Sequence, residues 1–417
     1  MSKDTSKAKI GREISGSDVL VELLREGASA LLAKAVETEL EDFLAGYATM
    51  LLMDGRRAVV RNGHLPRRTI QTGIGSIEIE VPKIRDRSAS GIKFNSSLVP
   101  PYLKRSKSME ELLPWLYLKG VSTGEYQEAL SAILGEHAPG LSANTVSRLK
   151  AKWSCEHQEW SRRNLSDKKY VYWWADGIYS NVRMDDKVCL LVIIGATVDG
   201  KKELVAVEDG LRESAESWRE VLTGLRCQGL EEGPNLAVGD GALGFWKALS
   251  EIYPKARHQR CWVHKTANVL NKLPKSMQPK VKASLHEIWM AENKESAEKA
   301  LDGAIKKFGD KYGKAMDCLE KDREELLTFY DFPAQHWIHI RTSNPIESAF
   351  STVRLRTSKT RNCGSRETVL SMVFKLVQSA EKRWRRLQGC ELLGDIITGV
   401  RFKDGIRMSD QSDGVAV

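Results

Sequence analysis

Apolar positions between residues 17 and 53 recur with the helical period, at Val19, Leu20, Leu23, Leu24, Leu31, Leu32, Val36 and Leu40, so this stretch is expected to be helix. The pattern changes at Gly55. From Arg61 to Arg87 it becomes short and strand-like: Ile74, Ile77, Ile79 and Val81 lie between glycine and proline breaks, and Asn62-Gly63 reads as a turn dipeptide. Helical segments return between 108 and 152, as MEELLPWLYLKG, TGEYQEALSAIL and SANTVSRLKAKW, in a layout that suggests helix-turn-helix. Ser142 is the expected cap of the last of them. That leaves Asn144, Thr145, Arg148 and Lys150 near its start and on its polar face, where recognition helices reach base edges. A plain helical bundle is the competing reading.

The period switches again at Tyr170. Tyr170 to Ala175 and Val188 to Val198 are β-branched, aromatic or apolar runs, and Asp199-Gly200 joins the second to Leu204, Val205, Ala206 and Val207 as a hairpin. A helix follows from Ser214, with Trp218, Val221, Leu222 and Leu225 on one stripe and Gly229 beyond its end. Then come a strand at Asn235 to Gly239, a helix at Phe245 to Ile252 and a short strand around Ala256 to Val263. Three strands, then helix, strand, helix and strand, predict an α/β fold with a mixed sheet flanked by helices. Between about Lys265 and Trp337 the chain is helical and charged, and reads as an all-α insertion. The expected organisation is a tail (1–16), a helix with a small β module (17–105), a helical DNA-binding region (106–165), a sheet domain in two pieces (166–264 and 338–400) around the insertion (265–337), and a tail (401–417).

A chain of 417 residues exceeds what one core usually holds, which agrees with several domains. With 41% hydrophobic and 29% charged residues, and no apolar run near the ~20 needed to span a bilayer, a soluble protein with no membrane partner is expected. The start, MSKDTSKAKIGREISG, lacks the apolar stretch of a secretory signal, so a cytoplasmic, reducing location is expected and the cysteines read as thiols. Charge is unevenly placed. Eleven basic residues face three acidic ones between Arg341 and Arg386, so this segment carries +8 of the net +9, the footprint of a nucleic-acid partner.

Three carboxylates stand out. Asp176 ends the run YVYWWA and Asp240 ends the run NLAVG, so each is expected at or near the end of a buried strand. A buried lone carboxylate is costly, and such positions are kept when a cation or partner neutralises the charge. Each is followed by glycine, so a simple turn is the alternative. Glu347 lies in TSNPIESAFSTVRLR, where Asn344 is a good N-cap, Pro345 a good first helical residue, and Ile346, Phe350 and Val353 form the buried stripe. Its alternative is a capping-box glutamate. Together the three are expected to be catalytic and to hold two Mg²⁺ (or Mn²⁺) ions, which hard oxygen ligands suit and phosphodiester chemistry uses. Arg354, two turns beyond Glu347, is expected to face a phosphate, with Arg356, Lys359 and Arg361 extending the cationic path. The pair Trp173 and Trp174 reads as core, with base stacking as the alternative.

The segments WADGIY, VGDGALGFW, QRCWVHK and NPIESAFSTVRLRT, in this order, resemble the Mutator superfamily of bacterial insertion-sequence transposases, and VRNGHLPRRTIQTGIGSIEIEVPKIRD is similar to the same family. The resemblance covers roughly residues 20 to 390. It implies an RNase H-like catalytic domain in which Asp176, Asp240 and Glu347 match an Asp, Asp, Glu triad with a helical insertion before the glutamate. It also implies binding to terminal inverted repeats, metal-dependent strand cleavage and strand transfer into target DNA, multimers on paired ends, and a place at the bacterial nucleoid. Arg354 matches a basic residue expected two turns after the glutamate. Cys261 and His264 match a CxxH signature, for which structural packing at the active site is expected, since the two are half a zinc site. The sequence departs from the family at Pro345, where a second polar residue is common. The rival functions are an RNase H-like nuclease or resolvase that cuts without joining, and a helix-turn-helix regulator with no catalysis.

Overall fold

The computed structural model describes residues 16–109, 143–181, 187–210, 212–241, 243–359 and 365–408, with isolated positions between 110 and 142. The chain divides into two units, Met1–Val146 and Ser147–Val417.

In the first unit, helix α1 (Gly16–Gly46) stops earlier than its periodicity suggested, because the chain turns after Gly46 and Leu51 bridges back to Arg57. Strands β1 (Val59–His64), β2 (Arg68–Thr72), β3 (Gly75–Ile79) and β4 (Pro82–Asp86) pair antiparallel as β1 with β4 and β2 with β3. Val36 of α1 closes a small core with Ile70, Ile77, Ile79, Val81 and Val99. The Asn62-Gly63 dipeptide is not the turn it resembled. Gly63, at φ 71°, lies within β1 where the register with β4 slips between Arg61 and His64, so it makes a bulge.

Helix α2 (Ala143–Trp160) runs past residue 152, and its second half is fixed in the second unit. Trp153 and His157 are buried, the His157 ring meets the Val207 carbonyl at 3.0 Å, and Ser154 bonds Glu367. The sheet contains β5 (Tyr170–Asn181), β6 (Lys187–Thr197) and β7 (Lys202–Gly210). Helix α3 (Ala215–Cys227), strand β8 (Leu236–Gly239), helix α4 (Leu243–Ile252) and strand β9 (Arg257–Arg260) follow. Strand order is β7-β6-β5-β8-β9, antiparallel on the β7 side of β5 and parallel from β5 through β9. The mixed α/β architecture therefore agrees with the alternation of periods in the sequence. The Asp199-Gly200 hairpin agrees too, with Gly200 at φ 76°.

Both sheet faces are covered, which is why β6 reads as an unbroken apolar run. One face packs Trp173, Ala175, Ile193 and Ala237 against Trp218, Leu222, Phe245 and Trp246 of α3 and α4. Helices α5 (Trp262–Leu270), α6 (Gln278–Trp289), α7 (Lys294–Glu320), α8 (Arg323–Leu327) and α9 (Trp337–Ile340) precede α10 (Asn344–Lys359) and α11 (Arg366–Glu381). No strand occurs between Lys265 and Trp337, as the pattern indicated. The opposite face holds Tyr172 and Trp174, which meet His336 and the His339 carbonyl, and α10 lies against β5 and β6. Both tryptophans of the pair 173 and 174 are fully buried, so they serve the core. After α12 (Leu393–Ile397), residues 401–408 form a hairpin of β10 (Phe402–Lys403) and β11 (Ile406–Arg407) rather than a loose tail. Its turn is set by Asp404 and Gly405, both at positive φ, and Gly405 bonds the backbone of Tyr330 and Ala334. No helix among the described residues is long and apolar enough to cross a membrane.

Candidate active site

Register brings the two aspartates together. Strands β5 and β8 run parallel with Ala175 opposite Gly239, so the next residues, Asp176 and Asp240, stand side by side. By alternation both side chains leave the sheet on the face of Tyr172, Trp174 and Val238. Asp176 is not at a strand end: β5 continues for five residues and Asp176 pairs with Val192, while Gly177 keeps a negative φ. The turn alternative for Asp176-Gly177 therefore fails, whereas Asp240 does follow the last residue of its strand.

The backbone at Asp240 is clamped. Its carbonyl accepts from Trp246 Nε1 at 2.8 Å and from the buried Arg260 at 3.2 Å, and the Arg260 guanidinium stacks 4.3 Å above the Trp246 ring. These contacts explain why a tryptophan and an arginine sit where they do in VGDGALGFW and QRCWVHK. Next to Arg260, the Cys261 amide bonds the Gly239 carbonyl at 2.8 Å, tying the start of α5 to the same strand.

Glu347 arrives from α10. The helix starts one residue ahead of expectation: Asn344 is its first residue, and Ser343 before it accepts the amides of Ile346 and Glu347 at 3.0 and 3.1 Å. Glu347 Oε1 accepts from the Ser343 hydroxyl at 2.8 Å and lies 3.7 Å from His264 Nε2. His264 also feels the charge of Asp176, so one imidazole is coupled electrostatically to the helix carboxylate and to a strand carboxylate.

A fourth carboxylate joins them. Glu213, from the loop between β7 and α3, runs over Gly177 in the space a side chain there would take, and it interacts with Asp240, Tyr179 and His264. Burial and the neighbouring Asp240 push the Asp176 carboxyl up to about 7, only partly offset by the Gly177 amide and His264. Burial and Asp240 raise Glu213 as well. The hydrogen bond with Cys261 holds a proton on His264, whose pKa rises to about 9 against the effect of burial. Burial alone would raise the Cys261 thiol, but hydrogen bonds with His264 and Ser343 outweigh it and bring it below its usual value.

Of the other residues singled out in the sequence, Arg354 is exposed two turns beyond Glu347, its guanidinium 6.0 Å from the Phe350 ring centre. Arg356 and Lys359 lie on the last turns of α10, and Arg361 lies outside the described residues. Asn144, Thr145, Arg148 and Lys150 all fall on the first turns of α2, with Arg148 exposed and Lys150 half-buried. Ser343 and Glu213 carried no usable signal. One looked like a spacer before a helix cap, and the other is one carboxylate among 55 acidic residues, placed only by tertiary structure.

Residues 2–387 match the family described as "Transposase, Mutator family". The chain belongs to the Mutator family of transposases. It is similar to the transposase for insertion sequence element IST2 of Acidithiobacillus ferrooxidans, 54% identical over 287 residues, 67% of this chain and 95% of the relative. It is also similar to that for IS6120 of Mycolicibacterium smegmatis, 48% identical over 306 residues, 73% of this chain and 94% of the relative. Similarity extends to that for IS905 of Lactococcus lactis, at 30% identity over 340 residues, 81% of this chain and 84% of the relative.

Proposed function

We propose that this Mutator-family chain is a DNA transposase whose sheet unit is an RNase H-like catalytic domain, and that Asp176, Asp240 and Glu347 hold two Mg²⁺ or Mn²⁺ ions at the scissile phosphate. The observation that carries the reading is the side-by-side placement of Asp176 and Asp240 on parallel neighbouring strands, with His264 coupled electrostatically to both Asp176 and Glu347. The donor set fits a hard cation. Asp176 and Asp240 offer carboxylate oxygens side by side, and burial together with the Asp240 charge pushes the Asp176 carboxyl up to about 7, a repulsion that a cation would relieve. Bound divalent cations activate the attacking oxygen and neutralise charge at the leaving one. The protein's own part is to orient the ligands, through the clamped Asp240 backbone and the hydrogen-bonded Glu347, and to guide DNA.

Arg354, Arg356, Lys359 and Arg361 form the cationic path beside the site, and Asn144, Thr145, Arg148 and Lys150 on α2 contact the terminal inverted repeats. The protein works as a multimer on paired ends, at the nucleoid. The test uses duplexes ending in the flanking inverted repeats, uncut or pre-cut, with target DNA and Mg²⁺. Wild type is expected to cut and to join. Asp176→Asn, Asp240→Asn and Glu347→Gln are each expected to abolish both while still binding ends. Cutting that survives these changes contradicts the proposal. Cutting without joining of pre-cut ends makes the protein a nuclease.

A further inference from the structure

Cys261, His264 and Glu347 form a triangle of metal-type donors, with sulfur, nitrogen and oxygen atoms within 4.8 Å of one another. A zinc ion accepts such a set. The centre of the triangle, however, belongs to a side chain. The hydroxyl of Ser343, a fully buried residue, lies 2.8 Å from Glu347 Oε1, 3.2 Å from Cys261 Sγ and 3.3 Å from His264 Nδ1. The Ser343 amide donates to the same sulfur at 3.2 Å.

A serine hydroxyl has one proton and two lone pairs. The carboxylate can only accept, and it lies nearest, so it takes the proton. The lone pairs then face the His264 ring, and the sulfur is served by the amide. All three donors are thus satisfied without an ion. The carbonyl of Ser343 meanwhile accepts the Glu347 amide, so one residue fixes both the backbone and the side chain of the glutamate. Through the Cys261 amide on the Gly239 carbonyl, this junction reaches the strand that leads to Asp240.

We infer that Ser343 is the positioning residue of the site, its hydroxyl held by His264 and its amide by Cys261, so that Glu347 is presented toward the aspartates in a fixed orientation. The CxxH pair is then the seat of that serine and not a metal centre. This inference rests on the proposed role of Glu347 as a cation ligand.

The experiment is a Mn²⁺ titration of the full-length protein by electron paramagnetic resonance, with cleavage followed against Mg²⁺ concentration. Ser343→Ala is expected to weaken Mn²⁺ binding about 10- to 100-fold, the usual effect of removing a residue that orients a metal ligand. Its cleavage should recover at high Mg²⁺, which Glu347→Gln does not allow, and Ser343→Thr, which keeps the hydroxyl, should bind Mn²⁺ nearly as wild type. If Ser343→Ala does not fold, Cys261→Ala decides, with the same direction of effect expected. Wild-type Mn²⁺ affinity in the folded serine or cysteine variant, while Glu347→Gln is weakened, overturns the positioning role alone. Stoichiometric Zn²⁺ binding that Cys261→Ala abolishes and Ser343→Ala retains overturns it in favour of a metal centre. Unchanged Mn²⁺ affinity in Glu347→Gln removes the functional reading and this inference with it.

Discussion

Two carboxyls in the sheet unit hold their protons to about pH 7, and only one of them belongs to the candidate site. Asp176 does so through burial and the adjacent Asp240; Glu208, on β7, does so through burial, with Arg163 pulling the other way. A perturbed acid marks a site only when other groups converge on it. Asp240, Glu213 and His264 all act on the charge of Asp176. Glu208 lines a pocket that mixes Arg163, Asp209 and Glu220 with Trp160, Val221 and Leu225, and the Arg163 cation beside it partly balances the acids. For Glu208 the consequence is stability. Its folded pKa lies above the ordinary 4.5, so the folded state binds the proton more tightly. Its contribution is fully present below pH 4.5 and is lost as the pH climbs to about 7. Glu208→Gln is therefore expected to raise the melting temperature by a few degrees at pH 8 and to give no gain at pH 4, read by calorimetry; an equal shift at both pH values counts against it. Arg354 makes the second prediction at this scale. If its guanidinium meets a phosphate, Arg354→Ala lowers the slope of log affinity against log salt for end DNA by about 0.9, and an unchanged slope removes that role.

At the scale of elements, the site depends on close approaches that only glycine permits. A Cβ at Gly244, near the start of α4, would fall onto the backbone of Glu213 and lie 2.7 Å from the Ala215 amide. Gly244→Ala must push α4 away from the loop that carries Glu213. It is expected to cost about 1–3 kcal/mol in denaturant unfolding, as overpacking usually does, and a neutral effect would show that the junction yields. Gly244 lies within the VGDGALGFW segment, so its presence was legible, but its purpose needed the tertiary contact. The same divide runs through the whole unit. Strand and helix periods in the sequence were strong enough to give the mixed sheet, the Asp199-Gly200 hairpin and the helix capped by Ser214. Local chemistry misled where a residue had two uses: Asn62-Gly63 makes a bulge, and the cap position before α10 belongs to Ser343. Glu213 and Ser343 could not be read at all, because long-range packing alone, across 36 and 82 residues to Gly177 and Cys261, gives them their neighbours.

At the scale of the molecule, charge and topology point the same way. The segment that carries most of the net positive charge begins just before α10 and continues through α11, so the helix that delivers Glu347 also bears the cations expected to receive DNA. The central claim is that three acidic residues, separated by 64 and 107 positions in sequence, share one cation site. Replacing Mg²⁺ with Fe²⁺ and adding ascorbate and peroxide cuts a polypeptide beside the bound ion, and the fragments can be mapped by mass spectrometry. The account predicts backbone breaks next to Asp176, Asp240 and Glu347 together, all suppressed by excess Mg²⁺. Breaks near only one of the three, or at unrelated surface acids, would contradict it.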